Sequence, residues 1–221
     1  MTPRMKPRCI LFDLDGTLVD TAPDLGHAAN RVRAELSQAP LPIAQYRPVA
    51  SAGARGLLKA ALGIDPDHAD YPARRDSFLA HYASRISVDS HLFPGMDAAL
   101  RAFERKQIPW GIVTNKPQWL TDRLLDELRL ARRAAVVIGA SDGLPAKPAP
   151  DPLLRACAAV KLTPGECVYV GDDRRDVTAA RAAQMPVVAA GWGYVDYGEP
   201  MASWGADAIL QKPEDLLRLC G

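Results

Sequence analysis

Long hydrophobic runs are missing from this chain, and no stretch approaches the ~20 consecutive apolar residues that a membrane-spanning helix requires. The Met1–Ile10 start is basic, but its apolar continuation Ile10-Leu11-Phe12 meets Asp13 and Asp15 almost at once, too early for a secretory signal core. Both absences point to a cytoplasmic protein without a membrane partner. Cysteine is scarce: Cys9, Cys157, Cys167 and Cys220 form no CxxC pair and are expected to be free thiols. Cys9 and Cys167 lie inside apolar runs, where a small hydrophobe fits. The histidines (His27, His68, His81, His91) are dispersed, with no HxH or HExxH, which argues against zinc. An excess of one charge is also lacking. Lys+Arg 27 against Asp+Glu 26 gives a net +1, which excludes a strongly basic nucleic-acid binder and an acidic tail. The pairs Arg74-Arg75, Arg132-Arg133 and Arg174-Arg175 are scattered and read as solvated, so no nucleic-acid partner is expected. Repeats and low-complexity tracts are absent as well.

What the chain does contain is core material: 48% of its 221 residues are hydrophobic and 24% charged. Five short apolar runs end in a polar residue or a glycine. They are Cys9–Phe12 before Asp13, Gly111–Val113 before Thr114, Val136–Ile138 before Gly139, Val168–Val170 before Gly171-Asp172, and Val187–Ala190 before Gly191. None alternates polar with apolar, so each is expected to be buried on both faces, as in a parallel sheet covered by helices. Helical patterns fall between them. Leu120, Leu124 and Leu128 recur every four residues, Asp151-Pro152 reads as an N-cap followed by Pro, and Val177, Ala180 and Ala183 share a face. This alternation predicts a doubly wound α/β domain.

The rhythm breaks once. From Thr21 to about Phe93 no strand-like run occurs; Thr21-Ala22-Pro23-Asp24 reads as a capping box, and helical regions follow near Leu25–Leu36, Arg55–Leu62 and Arg74–Ile86. The expected organisation is an α/β core of residues 1–21 and 94–221 carrying an all-α insertion, 22–93. Four prolines between Pro145 and Pro152 predict a rigid loop rather than a linker.

Open parallel sheets bind ligands at the carboxyl ends of their strands. That rule gathers Asp13, Asp15, Thr114, Asn115, Asp172, Asp173 and Asp176 at one crevice, with Lys147 within reach from its loop. Each has an ordinary explanation alone: Asp15-Gly16 as a turn, Asp172-Asp173 as a helix cap, Lys147 as a solvated lysine. Together they describe something specific. Clustered carboxylates need a cation, and a hard one such as Mg²⁺ prefers oxygen ligands. A lysine and a hydroxyl beside them suit a phosphoryl group. Metal, phosphate and a carboxylate nucleophile together perform phosphoryl transfer.

These residues resemble the four motifs of the haloacid dehalogenase-like (HAD) hydrolases. Asp13-Leu14-Asp15-Gly16-Thr17-Leu18-Val19-Asp20 is similar to motif I, Val113-Thr114-Asn115-Lys116-Pro117 to motif II, Lys147–Pro152 to motif III, and Gly171-Asp172-Asp173-Arg174-Arg175-Asp176 to the GDxxxD form of motif IV. The resemblance runs over essentially the whole chain and makes the insertion the family's helical cap. It implies a Rossmann-like core in which Asp13 attacks phosphorus and Asp15 serves as acid and base. Thr114 and Asn115 would hold phosphoryl oxygens, and Lys147 would offset charge. Asp13, the Asp15 main-chain carbonyl and Asp172 would bind Mg²⁺, with Asp173 and Asp176 in support. The Asp13–Leu25 opening is most similar to phosphoglycolate phosphatases. Ser51–Arg55 and Ser90–Met96 also resemble phosphatases of N-acetylmuramic acid 6-phosphate, which act in cell-wall recycling. Ser51-Ala52-Gly53-Ala54-Arg55-Gly56 resembles the substrate-contacting loop of the cap, where Arg55 would bind a substrate carboxylate; a helix start with a solvated arginine is the alternative. The expected partner is thus a small phosphate ester, with the chain a monomer or homodimer.

A phospho-accepting signalling receiver also gathers acids, a threonine and a lysine at strand ends. It would need an aspartate ending a strand between Phe12 and Thr114, and it has no room for the insertion. A dehalogenase would have no use for Asp15 or the metal cluster, and no insertion residue is recognisable as serving a phosphosugar mutase.

Overall fold

The computed structural model describes residues 6–141, 143–194 and 199–220, and for Cys220 only the backbone, so the expected free thiol at Cys220 and the basic Met1–Met5 start lie outside the described residues. Six strands form one parallel sheet in the order β5-β4-β1-β6-β7-β8. They are β1 (Cys9–Phe12), β4 (Trp110–Pro117), β5 (Val137–Ala140), β6 (Cys167–Gly171), β7 (Val187–Ala190) and β8 (Ala208–Leu210). Successive side chains point to opposite faces, which is why uninterrupted apolar runs make good central strands here. Ile10 and Phe12 of β1 enter one core with Val168, Val170 and Val188. Cys9 and Leu11 enter the other with Cys167, Tyr169 and Val187.

Helices cover both faces. α4 (Met96–Arg105) and α5 (Gln118–Glu127) bury Met96, Leu100, Phe103, Leu120 and Leu124 in the first core. α6 (Asp151–Val160) and α7 (Arg174–Ala182) bury Leu153, Ala156, Cys157, Val177 and Ala180 in the second. The free thiols of Cys9, Cys157 and Cys167 are buried among them. The doubly wound α/β expectation holds. From β1 the chain first adds strands on one side (β4, β5), then crosses to add β6, β7 and β8 on the other, so the switch point lies at the end of β1.

Between β2 (Val19–Asp20) and β3 (His91–Leu92) the described chain contains only helices and 3₁₀ turns: α1 (Ala22–Glu35), α2 (Gly53–Leu62) and α3 (Tyr71–Ser84), with 3₁₀ turns at Ile43–Gln45 and Arg47–Ala52. β2 and β3 pair antiparallel, Asp20 opposite His91, and tie together the two crossings into this segment.

Three local expectations change. Thr21 does precede α1, but it forms no capping box. Its hydroxyl donates instead to Asp15 Oδ1 (2.6 Å), while Asp24 Oδ2 accepts from the Asp89 and Ser90 amides and the Ser90 hydroxyl. The buried amides of Thr21 and Ala22 donate to the Tyr194 hydroxyl (2.6 and 2.8 Å), so a residue far along the chain caps this helix. In α6 the N-cap is Pro150, making Asp151 the first helical residue, where its charge suits the helix dipole without a cap hydrogen bond. In β4 the strand runs through Thr114 and Asn115 to Pro117, with a register shift after Val113, rather than ending at Thr114.

Candidate active site

Asp13 follows β1 directly, and its amide continues the pairing by donating to Val170 O (2.8 Å). The chain then reverses through Gly16, whose φ of +86° suits glycine alone; a Cβ there would strike the Asp172 carboxylate and the Tyr194 ring. The turn sets Thr17 beneath Asp172, to which its hydroxyl donates (2.7 Å). Asp172 leaves the end of β6 and also accepts from the Tyr194 amide and the Ser51 hydroxyl, both at 2.9 Å. Asp173 caps α7 in a reciprocal box with Asp176, as the ordinary reading of that pair expects.

Lys147 lies at the centre, its side chain 2% exposed. Its ammonium has three protons. They go to Val113 O (3.0 Å), Tyr169 Oη (2.7 Å) and Asp176 Oδ1 (2.7 Å). Asp13 Oδ1 lies 2.9 Å from the same nitrogen as an ion pair, and no other donor reaches this buried oxygen. Burial, aided by Asp13 and Asp176, pushes Asp172 up to about 8 despite its donors. Burial also drives Asp176 upward, with Lys147 pulling against it. Lys147 itself, opposed by burial, is held charged by Asp13 and Asp176 and titrates above its ordinary range. Burial opposes Asp173 too, yet Arg175 forks onto it (2.7 and 2.9 Å) and keeps its carboxyl below the usual range.

One oxygen each from Asp13, Asp172 and Asp176 lies within 4.8 Å of the others. An unbonded buried carboxylate oxygen beside a carboxyl that resists ionisation is a donor set short of positive charge. The residues present therefore fit a hard divalent cation.

Asp15 points elsewhere. Its carboxylate takes the Thr21 hydroxyl and both contacts of Lys116 Nζ (2.8 and 3.1 Å), while the Tyr82 ring of α3 covers Lys116 at 4.5 Å. Burial works against the Lys116 charge, but Asp15 and Tyr82 overcome it and hold the ammonium protonated. Burial raises the Tyr82 hydroxyl to about 12. Asn115 exchanges two hydrogen bonds with the Lys147 backbone, both 2.9 Å, which leaves one amide proton for a ligand. Thr114 Oγ1 accepts from the Lys116 amide (3.1 Å) and keeps its own proton to donate.

Asp13, Asp15, Thr114, Asn115, Lys147, Asp173 and Asp176 all border one cavity of about 290 Å³, and Arg55 reaches it from α2. Asp172 does not; it borders a neighbouring cavity, on the other side of Ser51. The helical segment thus closes directly on the site. Besides Ser51 and Tyr82, its Ser51 carbonyl accepts from Arg175 (2.8 Å), and Arg47 bonds both oxygens of Asp20 (2.8 and 3.0 Å). Sequence reasoning did not find Lys116, Tyr82, Tyr169, Tyr194 or the role of Thr17. Lys116 and Thr17 sit inside recognised motifs, but the tyrosines reach the site only through tertiary packing.

Residues 7–184 match the model of the haloacid dehalogenase-like hydrolases. A phosphoglycolate phosphatase of Xanthomonas campestris pv. campestris is 42% identical over 213 residues, covering 95% of each chain. An N-acetylmuramic acid 6-phosphate phosphatase of Pseudomonas aeruginosa is 35% identical over 214 residues, covering 97% of this chain and 95% of that protein. The crystal structure of a predicted phosphoglycolate phosphatase from Haemophilus somnus superposes over both whole chains with a TM-score of 0.85 at 25% identity. Among the described residues, no helix is long and apolar enough to cross a membrane. Sheet topology, the four motifs meeting at the switch point, and these relatives agree: the chain is an enzyme of the haloacid dehalogenase-like hydrolase family.

Proposed function

We propose that this enzyme is a magnesium-dependent phosphomonoesterase that acts in the cytoplasm on a small phosphorylated carboxylic acid, with phosphoglycolate as the leading substrate. The observation that carries the reading is the Asp13 carboxylate at the border of the cavity, one oxygen 2.9 Å from Lys147 Nζ and within 4.8 Å of oxygens of Asp172 and Asp176. A carboxylate anchored on that side by Lys147 and held by its backbone pairing has its other oxygen to offer to phosphorus. Similarity to enzymes named phosphoglycolate phosphatases supports the substrate.

Asp13, the Asp15 main-chain carbonyl and Asp172 would hold Mg²⁺, which supplies positive charge to the carboxylates and the phosphoryl oxygens. Asp13 attacks phosphorus, the bond from phosphorus to the ester oxygen breaks, and an aspartyl-phosphate forms. Asp15 gives the leaving alkoxide a proton. It then takes one from the water that attacks the same phosphorus, which frees phosphate and restores Asp13. Thr114 and the remaining Asn115 proton bind phosphoryl oxygens. Lys147 balances the charge of Asp13, and Asp176 and Asp173 hold Lys147 and the α7 terminus in place. Arg55 takes the substrate carboxylate. Residues 22–93 act as a cap over a core of 1–21 and 94–221, excluding water when closed. The working unit is a monomer or homodimer with no macromolecular partner.

Phosphate release from phosphoglycolate with Mg²⁺, repeated with a chelator, tests the reading. Turnover that the chelator abolishes is expected. Equal release with and without chelator, or no release from any phosphate ester, would overturn it.

A further inference from the structure

The carboxylates of Asp13 and Asp15 each face a buried lysine: Lys147 Nζ lies 2.9 Å from Asp13, and Lys116 Nζ lies 2.8 Å from Asp15. Charge balance at the nucleophile accounts for the first. The second has a different setting. Its ammonium meets Asp15 Oδ1 (2.8 Å), Asp15 Oδ2 (3.1 Å) and the face of the Tyr82 ring, 4.5 Å from the ring centre. An ammonium has three protons, so these contacts commit it, and the Lys116 side chain is only 4% exposed. Lys116 is therefore not placed to grip a phosphoryl group. Burying such an ion pair adds little net stability, because desolvation offsets the attraction. What the pair supplies is geometry.

The lysine has a fixed base. Its amide donates to Thr114 Oγ1 (3.1 Å), and the next carbonyl, Pro117 O, accepts from the buried Thr121 hydroxyl of α5 (3.1 Å). From there it reaches both oxygens of Asp15, which fixes the plane of the carboxylate. The Thr21 hydroxyl, which touches Oδ1 alone (2.6 Å), would leave that plane free to turn. Oδ1 thus takes two donors and Oδ2 one, at the longer distance, so Oδ2 keeps the freer lone pairs. Asp15 also borders the cavity.

We propose that Lys116 is a positioning residue for proton transfer: it fixes the Asp15 carboxylate so that Oδ2 exchanges the proton with the ester oxygen, and the Tyr82 ring of α3 holds Lys116 in that place. The inference rests on the assignment of Asp15 as acid and base. As the bond from phosphorus to the ester oxygen breaks, the proton passes from Asp15 to that oxygen. A misaligned carboxylate delivers it poorly, and the penalty grows with the basicity of the departing oxygen.

Steady-state kinetics with Mg²⁺ test it on phosphate esters ranked by that basicity, from 2,4-dinitrophenyl phosphate through phenyl phosphate to phosphoglycolate. The readout is kcat/KM, which reports the steps up to departure of the leaving group, before water attacks. Asp15→Asn is the reference and should lose most where the leaving oxygen is most basic. Lys116→Met should show the same pattern. It should lose roughly 10-fold more on the hydrolysed ester with the most basic leaving oxygen than on 2,4-dinitrophenyl phosphate, a part of the ~100–10,000-fold that a positioned acid supplies. Tyr82→Leu should show a weaker form of it, and decides the matter if circular dichroism finds Lys116→Met unfolded. A loss that is even across the esters, or no loss, in these variants would overturn the inference and leave the phosphatase reading standing. An even loss in Asp15→Asn would remove the acid role and the inference with it. Phosphate release from none of the esters by wild type would remove the phosphatase reading as well.

Discussion

Replacing Lys147 by methionine removes the one cation buried among Asp13 and Asp176 while keeping most of the side-chain volume. In the folded protein its nitrogen lies 2.9 Å from Asp13 and 2.7 Å from Asp176, and its side chain is 2% exposed. Removing one partner of such a buried set costs ~3–5 kcal/mol, because the carboxylates left behind are desolvated and uncompensated. For a chain of this length each kcal/mol shifts Tm by ~2–4 °C, so Lys147→Met should melt roughly 6–20 °C lower in chelator. Urea unfolding followed by circular dichroism measures the loss. The double variant Lys147→Met/Asp176→Asn, which removes a charge of each sign, should lose less than the two single losses combined, by ~1–3 kcal/mol. Lys147→Met within about 1 kcal/mol of wild type, or strict additivity in the double variant, would refute the electrostatic account.

Further outcomes follow from other contacts. Asp172 titrates near 8 in the folded protein against 3.8 when free, so the folded state keeps a proton that the unfolded chain releases. In chelator, stability should therefore fall by up to several kcal/mol as pH rises from about 4 to about 8, and level off above. Asp172→Asn should flatten that slope and Mg²⁺ should oppose it; stability that rises over the same window with Asp172 intact would contradict the assignment. Tyr194→Phe strips the oxygen that caps Thr21 and Ala22 but keeps the ring against Phe93. It should cost ~1–3 kcal/mol in urea unfolding, with Mg²⁺ affinity unchanged because only the Tyr194 amide touches Asp172. Gly16→Ala must place a methyl group against Asp172 at a positive φ, so isothermal titration should show Mg²⁺ binding lost or strongly weakened.

The five apolar runs were readable as strands because both faces of this sheet are covered, which makes the strands uniformly hydrophobic in sequence. β8 and the β2–β3 pair were not. They are three and two residues long, and their extended form depends on neighbours that a local pattern does not reveal. The site was legible in outline because Asp13 and Asp172 directly follow strands and Thr114 and Asn115 lie in the carboxyl half of another, and the topology brings those ends together. The Thr21 expectation failed for a specific reason. A capping box needs the hydroxyl to turn towards its own helix, and here the Asp15 carboxylate takes it while the hydroxyl of Tyr194 serves the amides. Lys116 escaped notice because its importance comes from α3, which brings Tyr82 over it from a separate part of the chain.

The central claim is that Asp13 is the nucleophile, and covalent trapping tests it most directly. Protein mixed with Mg²⁺ and phosphoglycolate labelled in its phosphoryl group, then quenched in acid, should yield label on the peptide containing Asp13. Asp13→Asn should carry no label and release no phosphate while keeping the wild-type circular dichroism spectrum. Full Mg²⁺-dependent turnover by Asp13→Asn, or label on a different residue, would contradict the account.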